Sequence, residues 1–311
     1  MIEYVAEPCT TDLYFLGESC RWDEVRAELY WVDLDAGRYY RARADGVRVE
    51  VVASYEVAGT LGAVAPMRKR RDGWIVGTDQ SISILAEDGT LRELARPEAE
   101  RAELVRMNDG AVDPWGRFWV GSMAYDAAPG AGVLYRYGLD TGVQEVLRDL
   151  TISNGLGWSV DAGTMYFIDS DPGVVYAFDT DDEGSIANRR TLVTFDVERE
   201  GAPDGMCVDA EGALWIALWG GAEVRRYSPT GEWLARVALP TTQPACCAIG
   251  GANATTLYIT TAREDMTPEQ LAREPDAGRL FCVDVGVRGL PLNSFGTVRL
   301  TPGRDDVTPG P

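Results

Sequence analysis

The 311-residue sequence contains no histidine. Ser-His-Asp and Cys-His catalysis both need an imidazole to carry a proton, and many zinc centres need it as a ligand. The absence excludes these mechanisms and all His-ligated metal sites. The range of chemistry open to the chain is correspondingly narrow.

Long apolar runs and paired-cysteine motifs are also missing. No stretch approaches the ~20 apolar residues of a membrane span, and the first residues lack the basic and apolar segments of a signal peptide. The six cysteines include the neighbours Cys246 and Cys247 but form no CxxC motif, which favours small buried side chains in a reducing compartment. We therefore predict a cytoplasmic protein that does not associate with membranes.

Positive charge is scarce relative to negative charge. The chain has 29 basic and 49 acidic residues, a formal net charge of −20. Such an excess repels nucleic acids and anionic membrane surfaces, whereas metal cations and neutral substrates are compatible with it. We expect most carboxylates to form a solubilising surface and only a few to be functional.

The composition is that of a packed, turn-rich protein. Hydrophobic residues make up 45% of the chain, which also contains 34 glycines and 16 prolines. All-β domains often exceed the usual one-domain length of roughly 100 to 200 residues, so we predict one domain over 1–311. Thr301 to Pro311 lacks any strand pattern and is expected to form a loose tail.

Short aromatic and β-branched runs recur along the chain, and helical periodicity is almost absent. Their spacing of roughly 45 residues is typical of four-stranded propeller blades, and six copies predict an all-β, six-bladed β-propeller. We expect Ile2 to Val5 to pair with the last blade and close the ring. The six runs are Leu29 to Asp33, Trp74 to Thr78, Phe118 to Ser122, Met165 to Asp169, Leu214 to Leu218 and Leu257 to Thr261.

Polar residues beside glycine precede several of these runs, where innermost strands enter the central channel. Glu18, Asn154 and Asp204 could together form an all-oxygen site in this channel, suited to a hard divalent cation. Asn-Gly and Asp-Gly are also ordinary turn signals. Their recurrence at equivalent blade positions favours a site. Arg106, close to Asn108, is either a surface charge or part of this site.

A second group of aspartates has a different expected role. Each of them lies at or just before a turn within a blade, where a carboxylate can accept hydrogen bonds from backbone N–H groups. We predict structural roles for Asp33, Asp113, Asp169 and Asp209.

Several motifs together resemble the family of senescence marker protein, regucalcin and gluconolactonase. They are Gly17-Glu18-Ser19, Arg106-Met107-Asn108-Asp109-Gly110, Asn154-Gly155-Leu156, Pro203-Asp204-Gly205-Met206 and Cys246-Cys247. The resemblance spans nearly the whole chain. It implies a metal-dependent propeller with Glu18, Asn154 and Asp204 as ligands, Asp204 as base, and Arg106 and Asn108 in contact with a sugar-like substrate.

The chain departs from vertebrate members of that family after Met123. Tyr125 and Asp126 occupy a region that often supplies a substrate-contacting glutamate there, so Tyr125 is a further candidate for substrate binding. The segment from Tyr125 to Gly132 is either a flexible rim over the pocket or an ordinary loop.

The resulting hypothesis is hydrolysis of a sugar lactone to the aldonic acid with one divalent metal ion. Calcium is the first choice, with magnesium, manganese, iron or zinc as alternatives. We expect a monomer or weak homo-oligomer. Two other functions remain open, namely hydrolysis of another ester or a phosphotriester, and non-catalytic calcium binding.

Overall fold

The computed structural model describes residues 2–69 and 73–296. It contains six sheets, and the innermost strand of each contacts the innermost strands of both neighbours, which closes a ring. The predicted six-bladed β-propeller is therefore confirmed. All six runs identified in the sequence form the second strands of their blades. The predicted tail from 301 to 311 lies outside the described residues.

The strands follow one another from the channel outwards in each blade. The first three blades consist of β3 (Gly17–Asp23), β4 (Glu28–Asp33), β5 (Arg38–Ala44) and β6 (Val49–Glu56); β7 (Leu61–Pro66), β8 (Trp74–Thr78), β9 (Ser81–Leu85) and β10 (Leu91–Ala95); and β11 (Val105–Val112), β12 (Phe118–Ala124), β13 (Gly132–Gly138) and β14 (Gly142–Leu150).

The last three blades repeat this order. They consist of β15 (Ser153–Trp158), β16 (Thr164–Asp169), β17 (Val174–Thr180) and β18 (Ile186–Thr194); β19 (Ala202–Val208), β20 (Leu214–Trp219), β21 (Glu223–Tyr227) and β22 (Trp233–Ala238); and β23 (Pro244–Gly250), β24 (Thr256–Thr261) and β25 (Phe281–Asp284). The short helices are α1 (Val197–Glu200), α2 (Pro268–Arg273) and a 3₁₀ turn (Ala99–Arg101). Within the described residues, no helix has the length and apolar character to cross a bilayer.

Two N-terminal strands complete the last two blades. Strand β1 (Ile2–Val5) runs parallel to β22, at the outer edge of the fifth blade. Strand β2 (Glu7–Pro8) pairs with β25 and supplies the fourth strand of the sixth blade. The prediction that Ile2 to Val5 joins the last blade is therefore wrong. Glu7 and Pro8 join the last blade instead. The backbone N–H of Ala6 still donates to the Ala238 carbonyl of the fifth blade, so the chain crosses to the sixth blade only after Ala6.

The hydrophobic core lies between neighbouring blades. Successive side chains of a strand point to opposite faces, so each second strand buries both of its faces. Tyr30 packs with Trp74 of the second blade, with ring centroids 6.3 Å apart. The adjacent Trp31 belongs to a cluster with Cys246 and Tyr258 of the sixth blade. Blade packing thus explains why the recurring runs are continuously apolar.

The predicted structural aspartates are confirmed. Asp33 accepts hydrogen bonds from the backbone of Leu16 at 3.0 Å, and Asp169 binds the Ile152 backbone at 2.9 Å. These bonds fix the segments that enter the inner strands. Asp113 and Asp209 each accept two backbone N–H groups of their own turns and an indole N–H of the following strand.

The cysteines are all free, and five of the six are buried. This confirms their interpretation as small core residues, except that Cys207 is partly exposed. The Cys207 and Cys247 sulfurs lie 3.9 Å apart, in the range of a weak S–H contact.

The C-terminal segment from 285 to 296 crosses the end of the channel opposite the inner-strand starts. Its backbone binds the fifth blade at Ala210, its Asn293 amide donates to Val112 of the third blade, and Phe295 is fully buried. Above it, Arg21 and Asp109 form a buried ion pair of 3.1 Å. A cavity of about 330 Å³ lies at this end of the channel and is lined by Arg21, by the ends of inner strands and by residues 290–293.

Candidate metal and substrate site

Glu18, Asn108, Asn154 and Asp204 lie at or within register irregularities of inner strands. The two-to-one pairing of a β-bulge re-aims side chains and is often found beside active sites. Ser19, next to Glu18, has a φ of 50°, which a residue with a side chain seldom adopts. The bulged intervals are Glu18 to Arg21, Met107 to Gly110, Ser153 to Leu156 and Pro203 to Met206.

Glycines after the candidate residues allow adjacent inner strands to approach closely. A Cβ on Gly155 would lie 2.6 Å from the backbone oxygen of Asp204, and one on Gly205 would lie 2.8 Å from that of Ala245. Such a separation is too short for any side chain. The Asn-Gly and Asp-Gly pairs therefore bring blades four, five and six together at the axis.

Glu18, Asn154 and Asp204 line one cavity of about 510 Å³. Their relative exposures are only 7%, 5% and 5%, so their polar groups are largely removed from water. They come from blades one, four and five, and the fold brings them together as expected. Arg106, Asn108 and Tyr125 line the same cavity.

The oxygen atoms of this trio are poorly satisfied. Asn154 donates from Nδ2 to the Ser170 hydroxyl at 3.1 Å, but its Oδ1 and Asp204 Oδ1 are buried without a hydrogen-bond partner. Glu18 accepts only a long 3.4 Å bond from the Ser19 backbone. Buried acceptors left unpaired cost about 1 to 3 kcal/mol each. A cation would satisfy all three, so the donor set fits a hard divalent metal.

The trio contains two carboxylates and one amide. Among residues 2–69 and 73–296, no group of three or more Asp, Glu or Cys side chains is arranged to hold a metal ion. A site at the trio would therefore depend on the amide oxygen as well as the carboxylates.

Burial and mutual repulsion dominate the electrostatics of the site. Burial, reinforced by Asp109, raises the pKa of Glu18 to about 8, and Arg106 opposes this rise. Burial and the Glu18 and Asp109 carboxylates raise the pKa of Asp204 well above its ordinary range. Removing water from carboxylates and crowding them both favour the protonated form, whereas a nearby cation favours ionisation.

Arg106 and Asn108 form a connected pair at the cavity wall. Arg106 Nη1 donates to Asn108 Oδ1 at 2.6 Å, and Asn108 Nδ2 donates to the Ser153 carbonyl at 3.0 Å. Both side chains are buried, so the alternative that Arg106 is a surface charge is wrong. The pair places a guanidinium beside the trio, where it can bind an oxygen-rich ligand.

Tyr125 lies at the mouth of the cavity. It is 52% exposed and belongs to the loop between β12 and β13, where its backbone N–H donates to the Leu104 carbonyl at 3.0 Å. Its ring therefore borders the opening rather than the buried trio.

Several residues that line the cavity were not predicted from the sequence. They lie at or just after the ends of second strands, which end on the side of the ring where the antiparallel inner strands begin. Counting one to three residues beyond each recurring run would have identified most of them. The missed residues are Asp35, Ser170, Trp219, Glu264 and Asp265.

Comparison with known proteins decides the family. Residues 16–263 match the family model described as the SMP-30/gluconolactonase/LRE-like region. The chain belongs to this family. The resemblance inferred from the motifs is confirmed.

Relatives within the SMP-30/gluconolactonase family cover most of the chain. A 6-deoxy-6-sulfogluconolactonase of Pseudomonas putida is 35% identical over 88% of this chain and 92% of its own. Human regucalcin is 37% identical over 90% and 94%. The solved structure of a luciferin-regenerating enzyme is 30% identical over 92% and 96%, with a TM-score of 0.83.

Proposed function

We propose that this protein hydrolyses a sugar lactone to the corresponding aldonic acid, with one divalent metal ion as cofactor. The proposal is carried by the buried Asn154 and Asp204 oxygens that face the cavity without partners. Family membership and the lactonase among its relatives support the reaction type.

Glu18, Asn154 and Asp204 are the residues that would hold the cation. Hard oxygen donors favour calcium, magnesium or manganese, and we place calcium first. Bound there, the ion would act as a Lewis acid on the lactone carbonyl. The Ser170 hydroxyl fixes the Asn154 amide so that its carbonyl oxygen faces the cavity.

Asp204 is the proposed general base. It accepts the proton of a water molecule as that water attacks the lactone carbonyl. Asp204 then returns the proton to the ring oxygen as the ester C–O bond breaks, which gives a carboxylic acid and a hydroxyl group and restores the Asp204 carboxylate. A base with a raised pKa is well matched to proton transfer near neutral pH. No covalent intermediate with the protein is needed.

Arg106 and Asn108 are proposed to orient the substrate. The hydrogen bond between them holds the guanidinium in place, and its remaining N–H groups can donate to sugar hydroxyls. Tyr125, at the opening, is proposed to contact the part of the sugar furthest from the carbonyl. Orienting the ester against the attacking water lowers the entropic part of the barrier.

The test is lactone opening by metal-free protein, followed by addition of single metals. A panel of xylono-, arabino-, galactono- and gluconolactone would be assayed by proton release, with spontaneous hydrolysis subtracted. Metal-restored turnover that Asp204→Asn abolishes supports the proposal. Tight metal binding without turnover of any lactone would point to another ester, a phosphotriester or a binding protein.

A further inference from the structure

The entrance of the cavity carries an excess of negative charge. Beyond Glu18 and Asp204, the lining includes the carboxyl groups of Asp35, Glu264 and Asp265. The only cationic side chain among its described lining residues is Arg106. A divalent cation would balance the charges of Glu18 and Asp204. The three remaining carboxyl groups would still outnumber the single guanidinium.

The guanidinium of Arg106 already donates to two acceptors. Its guanidinium donates to Asn108 Oδ1 and to the Met107 carbonyl at 3.3 Å. Glu264 lines the same cavity. Burial raises the pKa of Glu264, followed by repulsion from Asp35, whereas Arg106 lowers it. The Glu264 pKa is thus consistent with crowded carboxyl groups on this side of the cavity.

We infer that the site selects sugar lactones without a second ionised group and disfavours those that carry a carboxylate or sulfonate. The inference rests on the proposed lactonase function and names the substrate class of the same site. It distinguishes this chain from the Pseudomonas putida relative, whose name specifies a sulfonated lactone. The opening reaction turns a neutral lactone into an anion, and the same carboxylates would favour release of that product.

The size of the effect follows from the position of the carboxylates. Asp35 and Asp265 are exposed at the entrance, whereas Glu264 is half-buried. Near a protein surface, one like charge several ångströms away weakens binding by a few fold, and salt screens it over a Debye length of about 10 Å at 0.1 M. Three such groups predict a discrimination of about tenfold or more at low salt.

The experiment compares two lactones that differ only in charge. The metal-loaded protein would be assayed with galactono-1,4-lactone and with galactaro-1,4-lactone, in which a carboxylate replaces the terminal hydroxymethyl group. We expect kcat/KM to be at least about tenfold higher for the neutral lactone at low salt. The ratio should narrow several fold at 0.3 M salt, since the Debye length falls.

A double variant, Glu264→Gln with Asp265→Asn, should narrow the same ratio at low salt. Asp140→Asn is the matched control, since it removes an exposed charge from the turn between β13 and β14, outside the cavity lining. It should leave the ratio unchanged.

Three results would overturn the inference. Equal or faster turnover of galactaro-1,4-lactone contradicts it directly while leaving the lactonase function intact. A preference for the neutral lactone that neither salt nor the double variant changes would assign selection to shape rather than charge. If the protein opens neither of these two lactones and no member of the panel above, the lactonase function is refuted and the inference with it.

Discussion

Replacing Glu18 by glutamine should stabilise the metal-free protein at alkaline pH. Burial and Asp109 raise the pKa of Glu18 from its ordinary value of 4.5 to about 8 in the folded state. The folded protein therefore binds a proton that the unfolded chain releases. The corresponding stability is present below about pH 4.5 and is lost progressively as the pH rises to about 8.

The size of this loss can be worked from the two pKa values. A tenfold change in proton affinity corresponds to about 1.4 kcal/mol, so ionising Glu18 in the metal-free pocket costs on the order of 5 kcal/mol. Glutamine cannot ionise and avoids this cost. Since 1 kcal/mol shifts the melting temperature of a protein slightly smaller than this one by about 2 to 4 °C, the variant should melt roughly 10 °C higher at pH 9.

The assay is thermal unfolding followed by circular dichroism, with EDTA, from pH 5 to pH 9. The difference between variant and wild type should be small at pH 5 and grow with pH. Calcium should raise the melting temperature of the wild type more than that of Glu18→Gln, because the stabilisation by a bound ligand grows with the logarithm of its affinity.

Glu28→Gln is the control for this experiment. Glu28 accepts hydrogen bonds of 2.8 and 3.0 Å from Arg41, so its replacement by glutamine leaves the guanidinium without its charged partner. This variant should melt below the wild type at both pH 5 and pH 9, and calcium should raise its melting temperature as much as that of the wild type. If Glu18→Gln is no more stable than wild type at pH 9, the Glu18 carboxylate does not carry the electrostatic cost described above.

Three further substitutions test the site. Asp204→Asn should lower kcat by roughly 10² to 10⁴, the usual contribution of a general base, without lowering the melting temperature of the metal-free protein, and retention of most activity would exclude Asp204 as base. Arg106→Ala should raise KM more than it lowers kcat, as measured by initial rates, whereas an unchanged KM would refute substrate binding by this residue. Gly155→Ala should reduce calcium affinity in calorimetric titration, because its Cβ would displace the Asp204 backbone, and Gly163→Ala, whose Cβ would have only ordinary contacts, should not.

The blade pattern could be predicted because second strands are buried on both faces. Most of their side chains, such as Tyr30 and Trp31, are therefore apolar, and each blade contains one such recognisable run. Glu18, Asn154 and Asp204 could also be predicted, since a polar group beside glycine at the start of an inner strand recurs in the sequence. They lie close together because the inner strands of all six blades surround one channel.

Other features leave no local signal. A β-bulge at Glu18 depends on how β3 pairs with β4, and no residue type specifies it. Asp35 and Glu264 are ordinary surface acids in sequence and meet only when blades one and six close. The outer edges of blades five and six offer similar backbone donors and acceptors, so sequence alone could not assign Ile2 to Val5 to one of them.

The first residues of the chain complete the blades that are synthesised last. Strands β1 and β2 leave the ribosome before the rest of the propeller, but the partner of β1 ends at Ala238 and that of β2 at Asp284. At translation rates of about 5 to 20 residues per second, β1 waits for roughly 10 to 50 s and β2 for roughly 15 to 60 s. Unpaired strand edges promote association between chains. Nascent chains that stall before Phe281 should therefore be especially dependent on chaperones, and slow translation of the sixth blade should reduce the yield of folded protein.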